Sequence, residues 1–147
     1  MTKEIVFLGV ALVAGVLMAI QGSMNSAMGK KIGLLEATFV VHLLGGILIG
    51  ILLITCCLEN WDWNKLKEIP WYIYLGGFLG VPIVYGVAYS MPKVGVANAT
   101  TAIIVGQVAM AFLIDIVGLF GMEKMAFTWF KGVGLALLAL GAHLMLK

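Results

Sequence analysis

Five long apolar runs, separated by short polar links, account for most of the chain. The first extends from about Ile5 to Met28 and closes on Gly29-Lys30-Lys31; the second extends from about Ala37 to Leu58. The third runs from Ile69 to Ser90, the fourth from Val94 to Phe120 and the fifth from Trp129 to Leu146. Each is close to the ~20 residues that a helix needs to cross a ~30 Å hydrocarbon core. The pattern therefore predicts an all-α membrane protein with five transmembrane helices (residues 5–28, 37–58, 69–90, 94–120 and 129–146). Pro70 suits the first turn of the third helix, where its missing N–H costs nothing. Met91-Pro92-Lys93 is expected to turn the chain tightly between the third and fourth helices. The fourth run is the longest, which predicts tilt or a first turn outside the core. The links are too short for a second domain, so residues 1–147 are expected to form one five-helix domain with sequential helices antiparallel. The first run is too long for the apolar part of a cleavable signal, and no small-residue cleavage site follows it.

Composition strengthens this reading and removes several function classes. Apolar residues make up 63% of the chain and charged residues 11%, against roughly 45–50% and ~25% in soluble domains. So few charges could not cover a soluble protein of this length. All nine basic residues are lysines. A net charge of +2 gives no basic footprint for nucleic acid, and the lack of arginine argues against a bidentate phosphate or carboxylate clamp. Cys56 and Cys57 are adjacent in an apolar run; they have no metal-ligand spacing and read as small apolar filler. No cofactor or metal is expected.

Nineteen glycines bear on how the helices meet. Gly15, Gly22 and Gly29 recur once per heptad, Gly46/Gly50 and Gly76/Gly80 stand four apart, and Gly134/Gly141 repeat the heptad. Small residues at such spacings let helix backbones approach closely in lipid. Pro82 is expected to kink the third helix. Trp61, Trp63, Trp71 and Trp129 all fall on the amino-terminal side, as an interfacial aromatic belt would.

Lysine placement bears on orientation. With five spans, Lys3, Lys65, Lys67, Lys124 and Lys131 share the amino-terminal side, and Lys30, Lys31, Lys93 and Lys147 the other. Topology follows the Lys/Arg excess on the cytoplasmic side, and five against four is too small an excess to choose one. The expectation is insertion in both orientations and an antiparallel, dual-topology homodimer of ten helices. A weak bias that still yields a single orientation is the alternative.

Few polar groups fall inside the spans, and Asp115 carries the most weight among them. It stands in Ala111-Phe112-Leu113-Ile114-Asp115-Ile116-Val117 with no charge nearby in sequence, and an intramembrane carboxylate is costly enough to mark a functional position. The structural alternatives are a hydrogen bond to another helix or a place near the headgroups. Gln107 lies about a quarter-turn from Asp115 around the same helix, and Thr100 lies on nearly the same face as Gln107. This polar line either borders an aqueous cavity or ties helices together. Gln21 and Asn25 stand four apart on the first helix. Glu36 opens the second helix, where a carboxylate also complements the helix dipole. His42 can titrate or serve as a hydrogen-bond partner, and Tyr85 and Tyr89 share a helix face. In an inverted partner Gln21 would lie at the depth of Asp115, each ~7–11 Å from the same helix ends, so a site drawn from both protomers is possible.

Several short motifs, taken in order, resemble a known family. Gln21-x-x-x-Asn25 stands in the first helix, Pro70-Trp71 with Gly76-Gly77 opens the third, and Val94-Gly95-Val96-Ala97 opens the fourth. Gly106-Gln107, Asp115-Ile116 and Gly118-Leu119-Phe120-Gly121 follow. In these the chain resembles the YdcZ-type inner-membrane exporters of the drug/metabolite transporter superfamily over nearly its whole length. The resemblance implies a five-helix half of a ten-helix fold, paired with an inverted half. The mid-helix glutamate that serves the small multidrug exporters has no counterpart here, since the first helix offers only Gln21 and Asn25. Their proton coupling therefore does not carry over directly.

The expected function is secondary transport, as export across the inner membrane, of a small metabolite or drug-like molecule by alternating access. The expected partners are the bilayer, a second inverted copy and the small-molecule substrate. Asp115, Gln107, Gln21, Asn25 and Glu36 are the candidate substrate or coupling residues. A small dual-topology ion channel and a non-transporting partner subunit are the rivals. No clustered His, Cys or acidic motif suggests an enzyme.

Overall fold

Among the described residues of the computed structural model, helices stand where the apolar runs predict them and no strand occurs. The description covers the backbone of residues 2–56 and 63–147 and the side chains of residues 5–56 and 64–147. Cys57, Trp61 and the side chains of Lys3 and Trp63 lie outside it. The helices are α1 (Thr2–Ile32), α2 (Leu34–Cys56), the short α3 (Trp63–Lys67), α4 (Leu75–Val94), α5 (Val96–Val117) and α6 (Trp129–Met145). A 3₁₀ turn, Trp71–Tyr74, leads into α4, and another, Leu119–Gly121, follows α5. Among the described residues, four segments are long and apolar enough to cross a membrane: Ile5–Ile32, Leu34–Cys56, Trp71–Val94 and Val96–Val117. The apolar α6 has 17 residues, about 25 Å at 1.5 Å per residue, at the lower limit for a span.

Boundaries differ from the pattern where glycine decides them. Gly29-Lys30-Lys31 does not end α1, which continues to Ile32. The chain turns at Gly33, whose φ of +102° favours a residue without Cβ, and α2 begins at once. Met91-Pro92-Lys93 is not a turn either. α4 continues through Pro82 and Pro92 to Val94, and the break comes at Gly95 with φ +89°. A proline removes its own donor and crowds the carbonyl four residues back, yet the helix runs through both prolines and ends only where the glycine backbone leaves the helical region. α5 stops at Val117, not Phe120: Gly118 adopts the left-handed conformation and donates to the Ile114 carbonyl at 2.8 Å, which closes the helix end.

The chain divides into two compact units, Met1–Pro92 and Lys93–Lys147. In the first, α1 packs on α2, and both reach α4 through small residues. A Cβ at Gly22 would come within 2.7 Å of Met91 Cε and 2.8 Å of Val87 Cγ1. Gly80 lies against the His42 imidazole, 3.1 Å from where its Cβ would be. The buried residues of this unit are mostly small: Ala37, Ala88, Asn25, Ser26 and Thr38, with Met91. The large ones, such as Phe7, Leu12, Phe39 and Phe78, face outward. Such a surface suits hydrocarbon, where close backbone approach and not apolar burial drives helix association.

The second unit is the α5–α6 hairpin. Ala99 and Ala142 are its buried contacts. Its connection folds back on the helices: Met125 N–H donates to the Asp115 carbonyl at 2.9 Å. Phe127 packs between Phe112 and Trp129, with ring centroids 5.9 and 5.6 Å away.

Candidate functional site

The α5–α6 hairpin carries the most informative group of side chains. On α5, Val108, Ala111, Phe112 and Asp115 share a face, as spacings of three and four dictate. With Lys131, Gly134 and Leu135 of α6 they line one open cleft of about 290 Å³. Asp115 precedes the end of α5 by two residues and Lys131 follows the start of α6 by two. The two charges therefore lie at the loop end of the cleft, and apolar residues line it further in. Gly134 contributes no side chain to the wall, which leaves room between the helices.

Asp115 is half-buried, and its carboxylate has no hydrogen-bond or ion-pair partner among the described residues. Its backbone carbonyl, in contrast, is held by Met125. Lys131 is also half-buried. Its ammonium donates to the Met125 thioether at 3.7 Å, a weak acceptor, and forms no ion pair with Asp115. Lys131 is the residue that sequence reading alone passes over. The signal lay in depth: Asp115 and Lys131 are equally close to the connection that joins their helices.

The other candidates are not gathered here. Gln107 is exposed on α5 and is not part of the cleft wall. The Thr100 hydroxyl is buried without a partner among the described residues. In the first unit, Gln21 is exposed although it shares a helix face with Asn25, which is only 6% exposed. The Asn25 amide makes no side-chain hydrogen bond among the described residues. The Glu36 carboxylate folds back over the Cα of Gly33 in the first turn of α2, where a negative charge meets the positive end of the helix dipole. His42 Nδ1 lies 2.8 Å from the Thr38 carbonyl, so this nitrogen carries the hydrogen and Nε2 faces α4. Tyr85 and Tyr89 stack with centroids 6.4 Å apart.

These features describe an apolar, membrane-spanning chain with a charged cleft in its last hairpin. The family model described as "Putative inner membrane exporter, YdcZ" matches residues 6–144. The chain belongs to this family. Membership covers nearly the whole chain and, with the membrane-length helices, makes it a multi-pass protein of the inner membrane. It points to a transporter and not to an enzyme class. No curated protein and no solved structure matches the chain.

Proposed function

We propose that the chain is a secondary transporter that exports a small metabolite or drug-like molecule by alternating access, as an inverted dimer of two five-span chains. The observation that carries this reading is the Asp115 carboxylate, half-buried on a membrane-length helix, facing a cleft and without a protein partner among the described residues. An acid so placed is costly, and binding a proton or a cationic group offsets that cost. The family description supports export. The near-equal lysine counts support insertion both ways. Two copies would also double the helices available to enclose a path. Asn25, Gln21 and Gln107 are neutral hydrogen-bonding groups for the same path, and Glu36 is the reserve carboxylate.

The test is flux into proteoliposomes across a panel of small metabolites and lipophilic cations, with and without a proton gradient. Saturable flux that responds to the gradient is expected. Non-saturating flux would make the protein a channel, and inactivity across the panel would favour a partner subunit.

A further inference from the structure

We propose that the α5–α6 cleft binds a small zwitterion with an apolar body, Asp115 taking its ammonium and Lys131 its carboxylate or phosphate. The inference rests on the transporter reading only in making this molecule the cargo.

Three observations carry it. The cleft holds one acid and one base, so a ligand with a single charge would leave the other residue uncompensated in a place of low polarity. Neither charge is committed among the described residues: the carboxylate has no partner there, and the ammonium has only a thioether. Both stand at the loop end of the cleft, with Val108, Ala111, Phe112, Gly134 and Leu135 as the remaining wall. From Asp115 to Val108 that wall extends about 10 Å along α5. The arrangement suits a charged head near the membrane surface and an apolar body pointing inward, a pattern of few polar groups in an apolar cleft that small-molecule sites share. Glu123 and Lys124 lie in the connecting segment and are not part of the wall.

Lys131 has a specific role in this arrangement. Without it, Asp115 would select a cation of any kind. With it, a simple cation meets repulsion from the ammonium, and a simple anion meets repulsion from the carboxylate. The pair thus selects by opposing each singly charged competitor. A free zwitterionic solute and a zwitterionic lipid headgroup share this chemistry, and bilayer composition separates them.

The experiment measures binding to the full-length protein in nanodiscs. The probes are glycine, leucine and phenylalanine, each beside the amine and the carboxylic acid of the same carbon skeleton. In phosphatidylglycerol discs, leucine and phenylalanine should bind at least tenfold more tightly than their single-charge analogues and more tightly than glycine. Lys131→Gln should shift preference to the amine, and Asp115→Asn to the acid. A purely structural role for either residue would not reverse selectivity in this way.

If the natural occupant is a lipid headgroup, phosphatidylethanolamine discs should suppress zwitterion binding at least tenfold; if it is a free solute, the two discs should agree. Equal binding of zwitterion and amine, or no zwitterion binding in phosphatidylglycerol, overturns the proposal. The wild-type ranking decides even where a variant does not fold. Zwitterion-selective binding without flux in liposomes would keep the site and remove the transporter reading. Saturable flux of other compounds with no zwitterion preference would do the reverse.

Discussion

At the scale of single residues, the contrast between Asp115 and Glu36 is instructive. Both are carboxylates at the ends of apolar helices. Glu36 is folded onto Gly33 at a helix start, where the dipole stabilises it. Asp115 stands near a helix end, where the dipole opposes it, and faces a cleft. Asp115→Asn retains shape and hydrogen-bonding capacity but cannot ionise. We expect this variant to fold and to lose gradient-driven flux by at least an order of magnitude in proteoliposomes; wild-type rates across a pH series would remove Asp115 from the mechanism and leave Glu36 as the next candidate. Gly33 supports a separate prediction. Its φ is +102°, and a Cβ there would collide with the Glu36 carboxylate. Left-handed backbone costs a non-glycine residue about 1–2 kcal/mol. Gly33→Ala should therefore destabilise the protein by at least that amount in detergent unfolding, and removing the collision with Glu36→Ala should recover only part of it.

At the scale of elements, the glycines separate into two groups. Gly22 is closed in by Met91 and Val87, and Gly80 by His42, whereas a Cβ at Gly15, Gly46 or Gly50 would meet nothing within 4 Å among the described residues beyond its own helix turn. Heptad spacing alone does not distinguish Gly15 from Gly22. Gly22→Ala must displace the stiff Val87 as well as the flexible Met91, and overpacking of this kind costs about 1–3 kcal/mol. Its unfolding midpoint should fall accordingly, while that of Gly15→Ala should match wild type. If Gly15→Ala instead lowers the dimer fraction in cross-linking, Gly15 belongs to the interface between copies. The ends of α1, α4 and α5 repeat the lesson. Each yields to a glycine with positive φ, Gly33, Gly95 or Gly118, and not to the nearest lysine or proline.

At the scale of the whole molecule, orientation and assembly belong together. With a fifth span, Lys147 lies opposite Lys3, and the counts stand at five against four. A reporter fused to the carboxyl terminus should then appear on both sides of the membrane. Adding two lysines beside Lys147 should fix one orientation, because the Lys/Arg bias sets topology. Detection on one side only would refute dual topology. Cross-linking in lipid should give a dimer with its two-fold axis in the membrane plane. A parallel dimer would keep the stoichiometry and remove the inverted arrangement; monomers alone would remove both.

The sequence by itself determined the medium and the class. Runs of about 20 apolar residues with few charges have no stable place outside a bilayer, and a chain that satisfies its backbone there without strands must be helical. Local order was also enough to mark Asp115, because a carboxylate among Ile114, Ile116 and Val117 is conspicuous without any structure. What the tertiary structure decided depends on approach between helices. Sequence spacing put Gln21 and Asn25 on one face, but packing buried Asn25 and left Gln21 exposed. It put Gln107 beside Asp115, but the cleft takes Lys131, sixteen residues along the chain from Asp115, as the second polar group of its wall. Periodicity describes the surface of one helix; which part of that surface meets a neighbour depends on how the connecting segment folds. Here that segment is tied back by the Met125 amide on the Asp115 carbonyl and by Phe127 between Phe112 and Trp129.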